Sequence, residues 1–347
     1  MKIYYSETHR RHTPKFELFD GGVRMPYFES PERMDRILDA LKKTNWAEIF
    51  APQDFGLDPI HAVHEADYIE FIRNGYAEWI NTRPEVDAGK EDKSTLMPAT
   101  FPPRGWRRKT ASLLGRAGYF TMDLSAPIVA GTWEAAYASA QCALSGANAI
   151  VQGEHAAFAL CRPPGHHAGR ANCGGYCYIN NAAVAAQWLT SQGRVALLDV
   201  DYHAGNGTQD IFYESDRVLT ISLHADPDYR YPYYAGYADE TGSGAGLGYH
   251  RNFPLPAGTG DAEYLSALDQ ACDLIRKFGP KTIVVSAGMD TYAGDPLGDF
   301  KVTTNGIRQI GKRIAGLNLP ALAVMEGGYN NDALGENIVA LLEGLNS

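Results

Sequence analysis

Cysteine is scarce in this 347-residue sequence and odd in number: Cys142, Cys161, Cys173, Cys177 and Cys272. Such a count excludes a disulfide-stapled scaffold. Cys173 and Cys177 stand four apart, a spacing that fits neither a zinc knuckle nor a redox CxxC, so packing is their expected role. Basic residues are also short, with 31 Lys and Arg against 41 Asp and Glu, for a formal charge of -10. A nucleic-acid binder needs the opposite field. An acidic field suits a cationic small molecule, and it also serves solubility alone. No apolar run reaches the length of a membrane span, and MKIYYSETHRRHTPKF lacks the apolar stretch and cleavage site of a secretory signal. The expectation is a soluble, cytoplasmic protein. The glycines of GSGAGLG lack GxGxxG spacing, which argues against a nucleotide enzyme. There is no internal repeat.

What is present is globular: 45% apolar and 21% charged residues, at a length that fits one large α/β domain. IYY near the start reads as a short strand. SPERMDRILDALKKT reads as a helix, with Ser30 able to cap and Pro31 suited to the first turn. His61 to Ile72 also looks helical. From Asn81 to about Trp106 proline and charge replace periodicity, which reads as a long loop. Beyond it, continuous apolar strands (AFAL, RVALLDV, VLTISL, TIVVSA, ALAVM) alternate with helical segments. This predicts a mostly parallel sheet covered on both faces. Polar clusters stand where those strands end: RPPGHH, DVDYH, SLH, SAGMD and EGGY. In open α/β folds the ligand crevice lies beyond the carboxyl ends of strands, so these clusters can converge.

Asp199, Asp201 and His203 alternate, so an extended strand would present all three to one side. Each alone could be a cap or a satisfied imidazole. Together with Asp290, at a matching strand end, Asp201 and His203 form an oxygen and nitrogen ligand set of the kind a catalytic zinc uses. Asp199 then fits a supporting role, because a fourth strong ligand would close the open coordination position. His166 and His167 can supply an acid and a base. Asp199 beside His166 would favour its imidazolium, while the neutral amide of Asn206 would orient His167 and leave it the principal base. Tyr329, after two glycines, can donate to an oxyanion.

The ordered series RPPGHHA (162–168), GYCYINN (175–181), DVDYHAGNGTQ (199–209), SLH (222–224), SAGMD (286–290) and EGGY (326–329) closely resembles the histone deacetylase and acetylpolyamine amidohydrolase superfamily. With the early PER at 31–33 the resemblance spans nearly the whole chain. It implies the arginase–deacetylase α/β fold, with one domain around a central, mostly parallel sheet of about eight strands. It also implies Asp201, His203 and Asp290 as zinc ligands and His166, His167 and Tyr329 as catalytic residues. Asn206 stands where some relatives carry Asp. A structural potassium is implied at Asp199, Ser222 and the His203 and Leu223 carbonyls, with a second near Phe212, Val218 and Tyr249. The D-A-H-x-D run of the two-manganese arginases is missing, which favours one metal: zinc, with iron or cobalt as possible substitutes.

The insertion at 81–108, AGYFTMDLSAPIVAGTWEAAY and DPDYRYPYYAGYADETGSG are similar to the acetylpolyamine amidohydrolase branch. There a comparable insertion forms a homodimer contact and narrows the entrance. By the same likeness Tyr176 and Tyr231 would flank a methylene chain, and Asp123 is a candidate contact for a distal ammonium. The implied substrates are acetylated diamines and polyamines such as N-acetylputrescine and N-acetylcadaverine. An acetyl-lysine protein substrate is the enzyme alternative, and a non-catalytic metal-binding sensor the alternative of another class.

Overall fold

A computed structural model describes residues 1–19, 22–82, 94–103, 105 and 108–347. The chain opens with β1 (Lys2–Tyr4), an antiparallel pair β2 (Glu17–Phe19) and β3 (Val23–Met25), α1 (Glu32–Leu41) and β4 (Glu48–Phe50). Next come α2 (Asp58–His61), α3 (Ala66–Thr82), β5 (Thr95–Leu96), α4 (Leu113–Phe120) and β6 (Ile128–Val129). From α5 (Thr132–Val151) onward strands and helices largely alternate: β7 (Ala156–Ala159), α6 (Asn181–Leu189), β8 (Val195–Asp199), α7 (Asn206–Phe212), β9 (Val218–Ala225) and β10 (His250–Leu255). The chain closes with α8 (Asp261–Phe278), β11 (Thr282–Ala287), α9 (Thr304–Ala315), β12 (Ala321–Met325) and α10 (Leu334–Leu345).

Eight strands form one parallel sheet in the order β10-β9-β8-β11-β12-β7-β1-β4. Every residue of β7, β8, β9, β11 and β12 is buried, which is why their sequences read as continuous apolar runs rather than alternating ones. From β8 the chain builds outward through β9 and β10, then returns to lay β11 on the other side of β8 and β12 beyond it. That reversal makes the β8/β11 junction a topological switch point, the place where such sheets open a crevice. α8 covers the sheet with an apolar stripe of Leu268, Ala271, Cys272 and Ile275, and it ends on Gly279, whose φ of 66° accommodates the left-handed stop.

Several local expectations need correction. Ser30 does not cap α1: the capping position is Pro31, without a side-chain hydrogen bond, and the Ser30 carbonyl instead accepts from the Arg33 N–H at 3.3 Å. The helix expected over His61–Ile72 is split, because α2 ends at His61 and α3 starts only at Ala66. Asn81 and Thr82 belong to α3 rather than to the loop, and Thr95–Leu96 pairs with Val129–Ile128. Within the expected 81–108 insertion, residues 83–93, 104, 106 and 107 lie outside the described residues. The extended strand ends at Asp199, so Asp201 and His203 sit in bends beyond it and do not owe their direction to strand alternation.

Candidate active site and metal centre

Past β8 the chain folds back on its own carboxylates. The Asp201 N–H donates to Asp199 Oδ1 at 3.0 Å and the His203 N–H to Asp201 Oδ1 at 2.9 Å, turns that aim the side chains across the sheet end. β11 supplies the opposite wall: the Tyr202 N–H donates to Asp290 Oδ1 at 2.8 Å, and Asp290 Oδ2 lies 3.0 Å from His203 Nδ1. β12 closes the site, with the Gly327 N–H donating to Asp201 Oδ2 at 2.9 Å. Two glycines are sterically required here. A Cβ on Gly288 would stand 2.0 Å from Asp201 Oδ2, and one on Gly327 would stand 2.5 Å from Asp290 Oδ2.

Donor atoms of Asp201, His203 and Asp290 all lie within 4.8 Å of one another. The set is short of positive charge. Burial and the neighbouring Asp201 push the Asp290 carboxyl up to about 7, while Asp201 and Asp290 outweigh burial and draw His203 up to about 9. Two buried carboxylates and an imidazole that meet in this way suit a divalent cation with an open position, and the mixed O/N donors fit zinc.

The dihistidine loop is anchored by Glu326, whose Oε2 accepts from the N–H groups of Gly165 (2.7 Å) and His166 (3.1 Å) and whose Oε1 accepts from Ser286 Oγ (3.1 Å). His166 Nδ1 is 2.9 Å from Asp199 Oδ2, and His167 Nδ1 is 2.7 Å from Asn206 Oδ1. An amide oxygen only accepts, so the His167 proton belongs on Nδ1 and its Nε2 carries the free lone pair. Burial opposes charging of His166, but Asp201 and Asp199 overcome it and hold the ring well above the usual imidazole range. His167, buried and beside the cationic ring of His166, is held well below it.

Tyr329 is fixed through its backbone. Asp295 Oδ2 accepts from the N–H groups of Tyr329 (2.7 Å) and Asn330 (3.0 Å), and Oδ1 accepts from Leu297 (3.0 Å). The Arg33 guanidinium stacks 4.8 Å from the Tyr329 ring and donates to the carbonyls of Gly328 (2.7 Å) and Glu326 (2.6 Å). His167, His203, Tyr176, Tyr231 and Tyr329 line one cavity of about 340 Å3, with Leu18, Pro296 and Leu297 in its walls. Tyr176 donates to Glu17 Oε2 and Tyr231 to Asp123 Oδ2, each at 2.6 Å. Asp123 also accepts from the N–H groups of Gly175 and Ser125, each at 2.8 Å, so three bonds occupy the group expected to meet an ammonium directly. Asp199 and Ser222, expected around potassium, are register partners on β8 and β9.

Five of the eleven expected site residues, His167, Tyr176, His203, Tyr231 and Tyr329, line this cavity. His166, Asp199, Asp201 and Asp290 join them through the contacts above, while Asp123 and Asn206 line a neighbouring cavity of about 830 Å3 that shares Tyr231. Sequence reading missed Glu17, Arg33, Asp295 and Glu326 as parts of the site. Only Glu326 and Arg33 carried a signal, as members of the EGGY and PER runs.

The histone deacetylase domain model matches residues 27–345. Acetylpolyamine amidohydrolase 1 of Pseudomonas aeruginosa is 47% identical, over 99% of this chain and 98% of its own length. Acetylpolyamine amidohydrolase of Mycoplana ramosa is 42% identical, over 99% of both chains. A crystal structure of an acetylpolyamine aminohydrolase from Burkholderia pseudomallei superposes with a TM-score of 0.93 at 39% identity, covering 100% of this chain and 99% of that one. No helix among the described residues is long and apolar enough to cross a membrane. An arginase–deacetylase sheet whose strand ends gather an O/N donor triad, two histidines and a tyrosine, matched over its length by such relatives, places the chain in the histone deacetylase domain family, among the hydrolases of the deacetylase type.

Proposed function

We propose that the chain hydrolyses the acetyl amide of an acetylated diamine or polyamine, such as N-acetylputrescine or N-acetylcadaverine, with one zinc ion held by Asp201, His203 and Asp290. The observation that carries this is the cavity of about 340 Å3, walled by tyrosines and reaching His203, whose donor atoms lie within 4.8 Å of those of Asp201 and Asp290, a shape for a flexible methylene chain rather than a folded protein surface. When bound, zinc supplies Lewis acidity that polarises the acetyl carbonyl and acidifies water.

The chain's own groups do the rest. His167, neutral and with Nε2 free, takes a proton from the attacking water, and its protonated form returns one to the departing amine. His166, kept cationic by Asp199, adds positive charge beside the developing oxyanion. Tyr329 donates its phenolic hydrogen to that oxyanion from a backbone held by Asp295. Tyr176 and Tyr231 enclose the methylene chain and exclude water. Potassium at Asp199 and Ser222, and a second copy of the chain packed through the 81–108 insertion, belong to the same proposal.

Purified zinc-loaded protein compared on N-acetylputrescine, N-acetylcadaverine, longer acetylpolyamines and an acetyl-lysine peptide tests the reading. Highest kcat/KM on a small acetylated amine is expected. An efficiency at least about tenfold higher on the peptide rejects it.

A further inference from the structure

The base of the proposed reaction depends on which way one amide points. Asn206 Oδ1 lies 2.7 Å from His167 Nδ1, and the Asn206 NH2 donates to Met122 Sδ at 3.4 Å. The oxygen and the NH2 of an amide are close in size, so packing scarcely distinguishes the two orientations and the hydrogen-bond partners decide between them. Their effects on the imidazole are opposite. With Oδ1 toward the ring, the proton sits on Nδ1 and Nε2 keeps its lone pair. With NH2 toward the ring, Nδ1 must accept, the proton moves to Nε2, and that nitrogen can no longer take one from water. A carboxylate in this place would have no wrong way round; an amide has.

Met122 supplies the preference. A thioether accepts weakly and never donates, so it can meet only the NH2 end. Its sulfur is held from several sides. The Met122 N–H donates to the Cys173 carbonyl at 2.8 Å, and the side chain lies so close over Gly174 that a Cβ there would stand 2.4 Å from Met122 Cγ. The Asn172 NH2 donates to the same sulfur at 3.4 Å. Met122, Asn172 and Asn206 are half-buried in the wall of the cavity of about 830 Å3. Water entering from that side both donates and accepts, so it satisfies either amide orientation and selects neither.

We infer that Met122 is a positioning residue: its sulfur fixes the Asn206 amide and, through it, the Nδ1–H tautomer that leaves His167 able to act as a base. Met122 works through two hydrogen bonds in series rather than by contact with the reacting atoms. The inference rests on the proposed role of His167 and names what holds that base in its working form.

Nitrogen NMR of zinc-loaded protein with isotopically labelled histidine reports the tautomer directly, because protonated and bare ring nitrogens resonate far apart. The His167 signals are identified by their loss in His167→Gln. Met122→Leu keeps the volume and apolar character of the side chain and removes the acceptor. Wild type is expected to hold His167 in the Nδ1–H form, and Met122→Leu to show a second population with the proton on Nε2. On N-acetylputrescine the same variant should lose about three- to tenfold in kcat with KM little changed, the effect of one modest hydrogen bond. Asn206→Asp is the control: a carboxylate cannot turn the wrong way, so adding Met122→Leu to it should cost no further kcat. An equal loss in both backgrounds is a packing effect and overturns the inference, as does an unchanged tautomer in Met122→Leu or a wild type with its proton on Nε2. Failure of the proposed function shows differently: wild type then cleaves no acetylated amine, while the tautomer measurement still decides what Met122 does.

Discussion

In the proposed reaction the Tyr329 phenol and the His167 imidazole address different atoms, and single substitutions separate them. Tyr329→Phe keeps the ring against Arg33 and the backbone clamp from Asp295, and removes only the donor hydrogen. It should lower kcat by about 10²- to 10³-fold with KM little changed, the signature of a bond made in the transition state. His167→Ala should lose activity by about 10²- to 10⁴-fold, and a fully active variant would sink its role as base. Steady-state rates on N-acetylputrescine measure both. The candidate ligands and catalytic groups could be picked out in sequence because each follows closely on an apolar run that reads as a buried strand. Glu17 and Asp295 were not, because an isolated acid in ELFDGG or YAGDPL looks like any surface carboxylate until the fold supplies its partner. For Glu17 that partner lies 159 residues away.

Elements are joined by buried histidines, and one of them carries a measurable acid sensitivity. His64, between α2 and α3, has Nδ1 2.8 Å from the Gly169 carbonyl, and its Nε2 accepts from the Asn180 N–H at 3.0 Å, where α6 begins. Burial pulls its pKa down to about 4 from the ordinary 6.5. As pH falls below about 6.5 the unfolded imidazole takes a proton that the folded one refuses until about 4. The stabilisation is therefore full above 6.5 and lost progressively toward 4. His64→Gln lacks this titration, so the stability advantage of wild type over the variant should shrink by about 3 kcal/mol between pH 7 and pH 4. Urea unfolding midpoints measure it, and a gap that does not change with pH would contradict the assignment. At this scale periodicity recovered the central strands and α5, α6, α8 and α9. It failed where bounds depend on packing: the break between α2 and α3 and the start of α1 follow tertiary contacts, not local preference.

For the molecule as a whole, a formal charge of -10 sets up a field that draws cations toward the surface. Raising NaCl from about 20 to about 200 mM should reduce kcat/KM for N-acetylputrescine roughly threefold and leave N-pentylacetamide, a neutral amide in which a methyl group replaces the ammonium, unaffected. A flat response with the cationic amide would show that this field has no part in capture. Fold class was legible because alternating helices and doubly buried strands admit few architectures, and the motifs then fixed which one. The antiparallel pair that begins at Glu17 carries Leu18 into the wall of the cavity that Tyr176 and Tyr231 also line. A strand near the start of the chain and loops from its middle thus share one wall, so a change in either can reshape the cavity without touching Asp201, His203 or Asp290.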